Sequence, residues 1–316
     1  MRVPSMYHLM SHLDVNDGVS YPQGGFARVI ESIADLARGA GATLRVSTPA
    51  RQILVDNGEV TGVVVTGPGG RSEVIDADLV VSTADLEHTD SMLLDAAYRD
   101  RDDHWWDRRE AGPGAVLAML GVVGELPQLA HHTLLLTEDW DGGFARIASG
   151  SAELPDVAPL YIGRPSASDP SVAPPGHENL FVLIPVAANP DIGHGGVDGG
   201  GDAALEAFVD RMIGQIATWT GVPDLAERIV VRRTIGPGDF ADDLHAWRGS
   251  ALGPAHTLRQ SAFFRASNVS RRVRGLYFAG SSTIPGVGVP MCLISAELVL
   301  KHVRGQRDAG PVRDPR

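Results

Sequence analysis

A chain of 316 residues with 43% hydrophobic side chains can bury one large core or two modest ones and is not compositionally disordered. Its 27 basic against 39 acidic residues give a formal charge of −12, which disfavours a nucleic-acid partner because a polyanion would be repelled. The single cysteine, Cys292, excludes a disulfide framework and every cysteine-cluster metal site and fits a reducing cytoplasm.

The opening stretch "MRVPSMYHLMSHLDVNDG" has no continuous apolar signal core and no small-residue cleavage site, and no apolar run reaches ~18 residues. The expectation is a soluble or peripheral chain, cytoplasmic, with a local patch free to face a bilayer. His8 and His12 stand at i, i+4 spacing without a third ligand nearby, so no metal is expected. Phe26, Val29, Ile30, Ile33 and Leu36 then recur on one helical face before Gly39 and Gly41, which predicts a helix over about 24–38. The runs "TLRVST", "ARQILVDNGEVTGVVVTGPGGRSEVID" and "DLVVSTAD" are rich in β-branched residues. They are divided by Asn57-Gly58 and Pro68-Gly69-Gly70, so they read as a small β-meander followed by a buried strand.

From about 86 to 230, "VLAMLGVV", "HTLLLT", "LYIGRP" and "LFVLIPVAA" read as sheet strands between long Pro/Gly loops, and "DAALEAFVDRMIGQIATWTG" reads as an amphipathic helix. The expected organisation is a mixed α/β chain in which 1–85 and 231–304 form one domain, 86–230 an inserted sheet-plus-helix domain, and 305–316 a frayed polar tail. "HWWDRR", 104–109, suits either an interfacial membrane anchor or a surface helix with its tryptophans packed inward.

Chemistry concentrates near the end, in "GLYFAGSSTIPGVGVP", residues 275–290. Leu276, Tyr277, Phe278 and Ala279 read as a short buried strand; Gly280 permits close approach of a ligand to the backbone, and Gly286 and Gly288 permit a tight turn. Pro290 suits a first helical turn, and "MCLISAELVLKHV" supplies the helix, whose free N–H groups would favour an anion or a polarised ring edge. A plain β-to-α connection would carry the same glycines. The usual companion, G-x-G-x-x-G between a strand and a helix, is not found; the nearest match, Gly199, Gly201 and Ala204, follows a glycine-rich loop, and Asp202 there reads as a helix cap. No Gly-x-Ser-x-Gly elbow supports hydrolase chemistry.

Four segments in order, "YPQGGFARVIESIADLARGAGATLRVSTPARQILVDNGEVTGVVV", "ADLVVSTADLEHT", "SDPSVAPPGHENLFVLIPV" and "GSALGPAHTLRQSAFFRASNVSRRVRGLYFAGSSTIPGVGVPMCLISAELV", resemble the bacterial phytoene desaturase family of FAD-dependent, amine-oxidase-like flavoproteins. The resemblance implies an incomplete FAD-binding Rossmann-like domain carrying an inserted substrate domain. It places Gly280, Ser281 and Ser282 along the ribityl and phosphate part of FAD, and Pro285, Gly286, Val287, Gly288, Val289 and Pro290 beside the isoalloxazine. It also places Ala50 near the adenine and gives Asp169 an acid/base role close to the flavin; a plain Asp-Pro turn residue is the other reading of Asp169.

The implied reaction is desaturation of a carotenoid precursor such as phytoene by hydride transfer to flavin. The implied substrate is a long apolar polyene, whose tunnel "LFVLIPV" and "SAFF" could line, as could ordinary core strands. The family's opening βαβ unit has no counterpart here, so the resemblance covers the C-terminal two-thirds and predicts exposed apolar strand edges. A truncated product, a split enzyme with its N-terminal half in trans, and a non-catalytic hydrophobic-ligand-binding or partner subunit all fit. Within enzymes, a carotenoid isomerase or related flavoprotein shares the closing segment.

Overall fold

The computed structural model describes residue 12 and residues 15–312. Helix α1 (Phe26–Gly39) follows the glycine pair 24–25 and starts two residues later than the spacing predicts. Strands β1 (Ala50–Asp56), β2 (Glu59–Thr66) and β3 (Ser72–Asp76) form the expected antiparallel meander. Asn57 and Gly58 both take positive φ (49° and 80°), the backbone that a two-residue hairpin of this twist requires. "TLRVST" forms no strand: Leu44 and Val46 are exposed, and the segment is joined to β3 through the Arg45 side chain on Glu73 (2.7 Å) rather than through a backbone ladder.

Strand β4 (Val80–Ser82) leads into the short helix α2 (Leu86–His88), and helix α3 (Asp103–Asp107) holds the tryptophan pair. Trp106 is buried against Trp247, and Trp105 lies under Arg109 at 4.1 Å, so the pair packs into the fold.

Strands β5 (Gly114–Val123), β6 (His132–Leu135), β7 (Leu160–Gly163), β8 (His177–Val186) and β9 (Ile229–Ile235) build one antiparallel sheet in the order β6-β7-β8-β5-β9. Helix α4 (Trp140–Ser149) interrupts it between β6 and β7, and helix α5 (Ala203–Thr220) covers it. Alternation decides the two faces. Leu180, Val182, Ile184 and Val186 of β8 point into a core with Leu205, Phe208, Met212 and Ile216 of α5. The opposite side carries Leu117, Met119, Phe181 and Leu183, half-buried.

Helix α6 (Pro237–Leu244) returns the chain to strand β10 (Leu276–Phe278) and helix α7 (Val289–Val303). β10 pairs with β4 in parallel, and a second core gathers Leu86, Leu93, Leu94, Trp106, Trp247, Leu276 and Phe278. The stretch 86–106 thus packs with β4 and β10, while β9 completes the five-stranded sheet. Both lie across the bounds expected at 85/86 and 230/231.

The two cores differ in completeness. Helix α1 has no buried residue: Phe26, Ile30 and Leu36 are 57, 61 and 75% exposed. Val289, Leu293 and Ile294 of α7 are likewise exposed. Truncation therefore acts differently in the two places. Phe208→Ala removes a fully buried ring and is expected to cost about 3–5 kcal/mol. Ile30→Ser is expected to change stability by no more than about 0.5 kcal/mol while raising solubility. Urea denaturation of both variants, with light scattering of the second, measures the contrast.

Candidate functional site

A parallel pair leaves both strands ending on the same side, and that side is where ligands bind in open α/β sheets. Beyond the carboxyl ends of β4 and β10 lies a cavity of about 500 Å³. The turn Thr83-Ala84-Asp85 after β4 forms one wall, and Ser281-Ser282-Thr283 after β10 forms a second. Asp243 and Leu244 at the end of α6, together with Ser250 and Gly253, complete it over a floor of Phe278 and Ala279.

The turn after β10 is pinned from behind. The two N–H groups of the Asn268 side-chain amide are shared among Phe278 O (3.1 Å), Ile284 O (3.1 Å), Thr283 Oγ1 (3.2 Å) and Ser295 Oγ (3.0 Å), all within hydrogen-bond reach of Nδ2. Ser295 Oγ also accepts from the Gly280 N–H (3.0 Å) and bonds Thr283 Oγ1 (3.0 Å). Asn268, Thr283 and Ser295 are all buried, so the network joins β10, the turn and α7 without water. Gly280 has φ +110°, a conformation that side-chain-bearing residues rarely adopt, and the nearest atom to a Cβ there would be Thr83 O at 3.8 Å.

Asp85 is the ionisable group of the first wall. Its Oδ1 accepts from the Glu87 N–H (2.9 Å), and Ser282 Oγ reaches its Oδ2 at 3.5 Å. Burial pushes its carboxyl up, while backbone N–H groups of Glu87, Trp247 and His88 pull the other way. Beside it, the rings of His88 and His245 stack at 4.0 Å, and burial first, then the neighbouring imidazole, lowers His88.

Of the residues singled out in the sequence, Ser281 and Ser282 line the cavity, and Gly280 joins them through its backbone. Pro285, Gly286, Val287, Gly288, Val289 and Pro290 continue the turn into α7, with Gly286 buried against the Arg265 side chain. Arg265 donates to Ser281 O at 2.7 Å. Ala50 lies elsewhere, exposed at the start of β1 opposite Val65. Asp202 occupies the first capping position of α5, but its carboxylate accepts from the His194 N–H (2.8 Å) rather than from its own helix.

Asp169 is also outside the cavity lining. It is buried, and its carboxylate accepts from the Gly24 N–H (2.6 Å), the Ser171 N–H (2.9 Å) and Ser171 Oγ (2.6 Å). The Ser171 hydroxyl, then the Gly24 and Ser171 N–H groups, hold it below the usual carboxylate range. Tyr21 packs edge-on to His131 at 4.8 Å, and His131 bonds Ser168 at 2.6 Å, so the entry to α1 is tied to the β7–β8 connection at two places. His8 lies outside the described residues. Among the described residues, no group of three or more His, Cys, Asp or Glu is placed to hold a metal ion.

The sequence reading missed Thr83, Asp85, Asp243, Ser250 and Gly253. The signal for Asp85 was present, since "STAD" ends a strand as a short polar turn. Ser250 and Gly253 carry none, because only the tertiary fold brings them to β4.

A profile described as flavin-containing amine oxidoreductase matches residues 3–115. The chain is 41% identical to a carotenoid 3,4-desaturase of Haloarcula japonica over 294 residues, covering 93% of this chain and 56% of that protein. It is 34% identical to a zeta-carotene-forming phytoene desaturase of Myxococcus xanthus (95% and 55%) and 33% identical to a neurosporene-forming phytoene desaturase of Cereibacter sphaeroides (98% and 59%). The chain is thus similar to phytoene and carotenoid desaturases, and over its first third to flavin-containing amine oxidoreductases. It spans little more than half the length of these desaturases. Among solved structures, an oxidoreductase from Methanosarcina mazei superposes with a TM-score of 0.57 at 18% identity, over 89% of this chain and 55% of that one. Wild-type putrescine oxidase gives 0.52 at 15% identity, over 90% and 54%. These two structures share the fold of this chain.

Two substitutions test this geometry. Asn268→Ala removes the two N–H groups that serve the buried Phe278 and Ile284 carbonyls and the neighbouring hydroxyls, and is expected to cost about 2–3 kcal/mol in denaturant unfolding. For Asp169, the folded-state carboxyl lies below its unfolded value, so its contribution is present above the unfolded pKa and is lost as pH falls through the folded one. Asp169→Asn is therefore expected to lower the thermal midpoint at pH 7, with the gap from wild type closing toward pH 3; melting curves across that range measure it.

Proposed function

We propose that this chain forms the flavin-facing and substrate-facing part of an FAD-dependent carotenoid desaturase. The observation that carries the reading is the cavity at the carboxyl ends of β4 and β10, with the Gly280–Pro290 turn leading into α7. Its residues fit the flavin side of the cofactor: hydroxyls on two walls, a glycine at positive φ and a helix start. When bound, FAD supplies the hydride acceptor for dehydrogenation.

What the chain contributes is position and polarity. Ser281 and Ser282 would hold the ribityl end, and the pinned turn up to Pro290 would present backbone N–H groups to the ring edge. Asp169, kept ionised by three donors, is poorly suited to proton transfer. We read it as a fixed negative charge that holds the Gly24 turn and would stabilise cationic character on a nearby polyene. The half-buried ladder Leu117–Leu183–Tyr161 and Met119–Phe181 across β5, β8 and β7 offers an apolar wall to a hydrocarbon with no polar handle. On packing grounds the sheet-plus-helix unit takes Gly114 through Ile235, and the remaining described elements form the cofactor unit.

The uncovered faces of α1 and α7 and the two-stranded parallel pair favour further strands docking on the cofactor unit, because parallel sheets are stable only when covered. Those strands could be carried by the same longer polypeptide or by a second one. Among the described residues, no helix is long and apolar enough to cross a membrane.

The test is spectroscopic. Purified chain is incubated with FAD, alone and after co-expression with the amino-terminal half of a relative, and bound flavin absorbance and phytoene dehydrogenation are followed. Retained flavin together with dehydrogenation in the completed enzyme is expected. Leu183→Asp there is expected to reduce turnover by at least about tenfold with flavin still bound. A completed enzyme that retains no flavin would sink the reading.

A further inference from the structure

Helix α6 supplies part of the cavity wall through Asp243 and Leu244 at its end, and two different kinds of contact hold its start. Asp239 Oδ2 accepts from the N–H groups of Gly236 and Gly195, each at 2.7 Å, and these backbone donors do not change charge. Three residues on, Asp242 Oδ2 meets His194 Nε2 at 3.0 Å. The other ring nitrogen, Nδ1, lies 3.3 Å from Asp202 Oδ2. The ring rests against the first turn of α6, since a Cβ at Gly238 would come within 2.8 Å of its Cε1 and Nε2.

An imidazole with a carboxylate at each nitrogen needs both of its N–H groups. The neutral ring has one, so deprotonation leaves a lone pair facing one carboxylate. The two carboxylates are not equivalent. Asp202 Oδ2 also accepts from the His194 backbone N–H at 2.8 Å and keeps that donor, whereas Asp242 is joined to the loop through the ring. The side that the ring is mounted on is fixed. Loop 193–201 is held to β9 by the Thr234 N–H on Gly196 O and the Asp198 N–H on Arg232 O, each at 2.9 Å, and Asp202 begins α5. The next charges on α5 and β9, Glu206 and Arg232, pair with each other at 2.6 Å.

We propose that His194 is a proton-operated clasp: charged, it fixes the α6 wall of the cavity to the glycine loop, and neutral, it lets that wall swing about Asp239. This goes beyond the flavin reading and applies whatever ligand the cavity takes. The Asp242 hydrogen bond, then that of Asp202, raises the ring above the ordinary histidine range, with burial opposing and Asp239 adding to the rise. The clasp is therefore complete below the ordinary histidine value and is lost as pH rises through the folded-state value. All three side chains are well exposed, so its effect is local and adds little to global stability. Just beyond the other end of α6, His245 stacks on His88 at 4.0 Å; two charged rings there would repel, so that contact weakens as pH falls.

Hydrogen exchange of the full chain, corrected for the intrinsic pH dependence of amide exchange, and NMR titration of the histidine rings test the clasp. Protection of residues 239–246 is expected to fall about threefold between about pH 6 and about pH 8. The His88–His245 stack cannot mimic this, because it tightens as pH rises. Asp242→Asn keeps a hydrogen bond to either ring state, since an amide both donates and accepts. Its protection is expected to stay within about 1.5-fold over that range, with the His194 midpoint falling toward the ordinary histidine value. His194→Gln, which cannot titrate, is expected to give the same flat profile. A wild-type profile as flat as these, a variant profile as steep as wild type, or a wild-type His194 midpoint at or below the ordinary value would overturn the clasp.

Discussion

One buried amide organises the part of this molecule that carries the strand-end cavity. Asn268 reaches the last carbonyl of β10, the Ile284 carbonyl and the Thr283 and Ser295 hydroxyls, so strand, turn and helix are fixed relative to one another through a single side chain. In a buried environment such a network is worth more than its individual bonds, because each polar group it satisfies would otherwise be stranded. The Gly280 turn, the position of Ser281 and Ser282, and the start of α7 all follow from it. The opposing wall is held by different means: Asp85 and Thr89 close the β4 turn on itself, and parallel pairing sets it against β10.

The five-stranded sheet has no comparable dependence on one residue. Strict alternation along β5 and β8 sends one face to α5, and the resulting core is continuous. Its other face is apolar and only half covered, which is an unusual state for a sheet unless something apolar lies on it. The two units are therefore unequal in a way that matters for function: one is a finished support with an available wall, the other a cavity whose surrounding sheet is two strands wide.

Much of this was legible in the sequence where local pattern and tertiary environment agree. The helix at 26–39 announced itself through Phe26, Ile30, Ile33 and Leu36, and the hairpin through Asn57-Gly58, because spacing and turn chemistry are local. "TLRVST" misled because a β-prone run needs a partner strand to become one. Leu86 to Trp106 and the strand 229–235 choose their cores by long-range packing that composition does not encode. Asp169 could be located by resemblance, but its three donors, one of them Gly24, 145 positions away, could not be inferred from an Asp-Pro turn.

The same contrast explains how a helix with a strong apolar stripe can be held while burying none of it. Helix α1 is fastened at its entry, where Asp169 takes the Gly24 N–H and Tyr21 packs on His131, and not along its length. Such a helix is oriented before it is covered. With its stripe and that of α7 left open beside a narrow parallel sheet, surface is available for further strands without rearrangement of the turn that Asn268 holds. Binding energy released by covering those faces would then go into docking rather than into reshaping the turn that walls the cavity, because that turn is already held by its own buried hydrogen bonds.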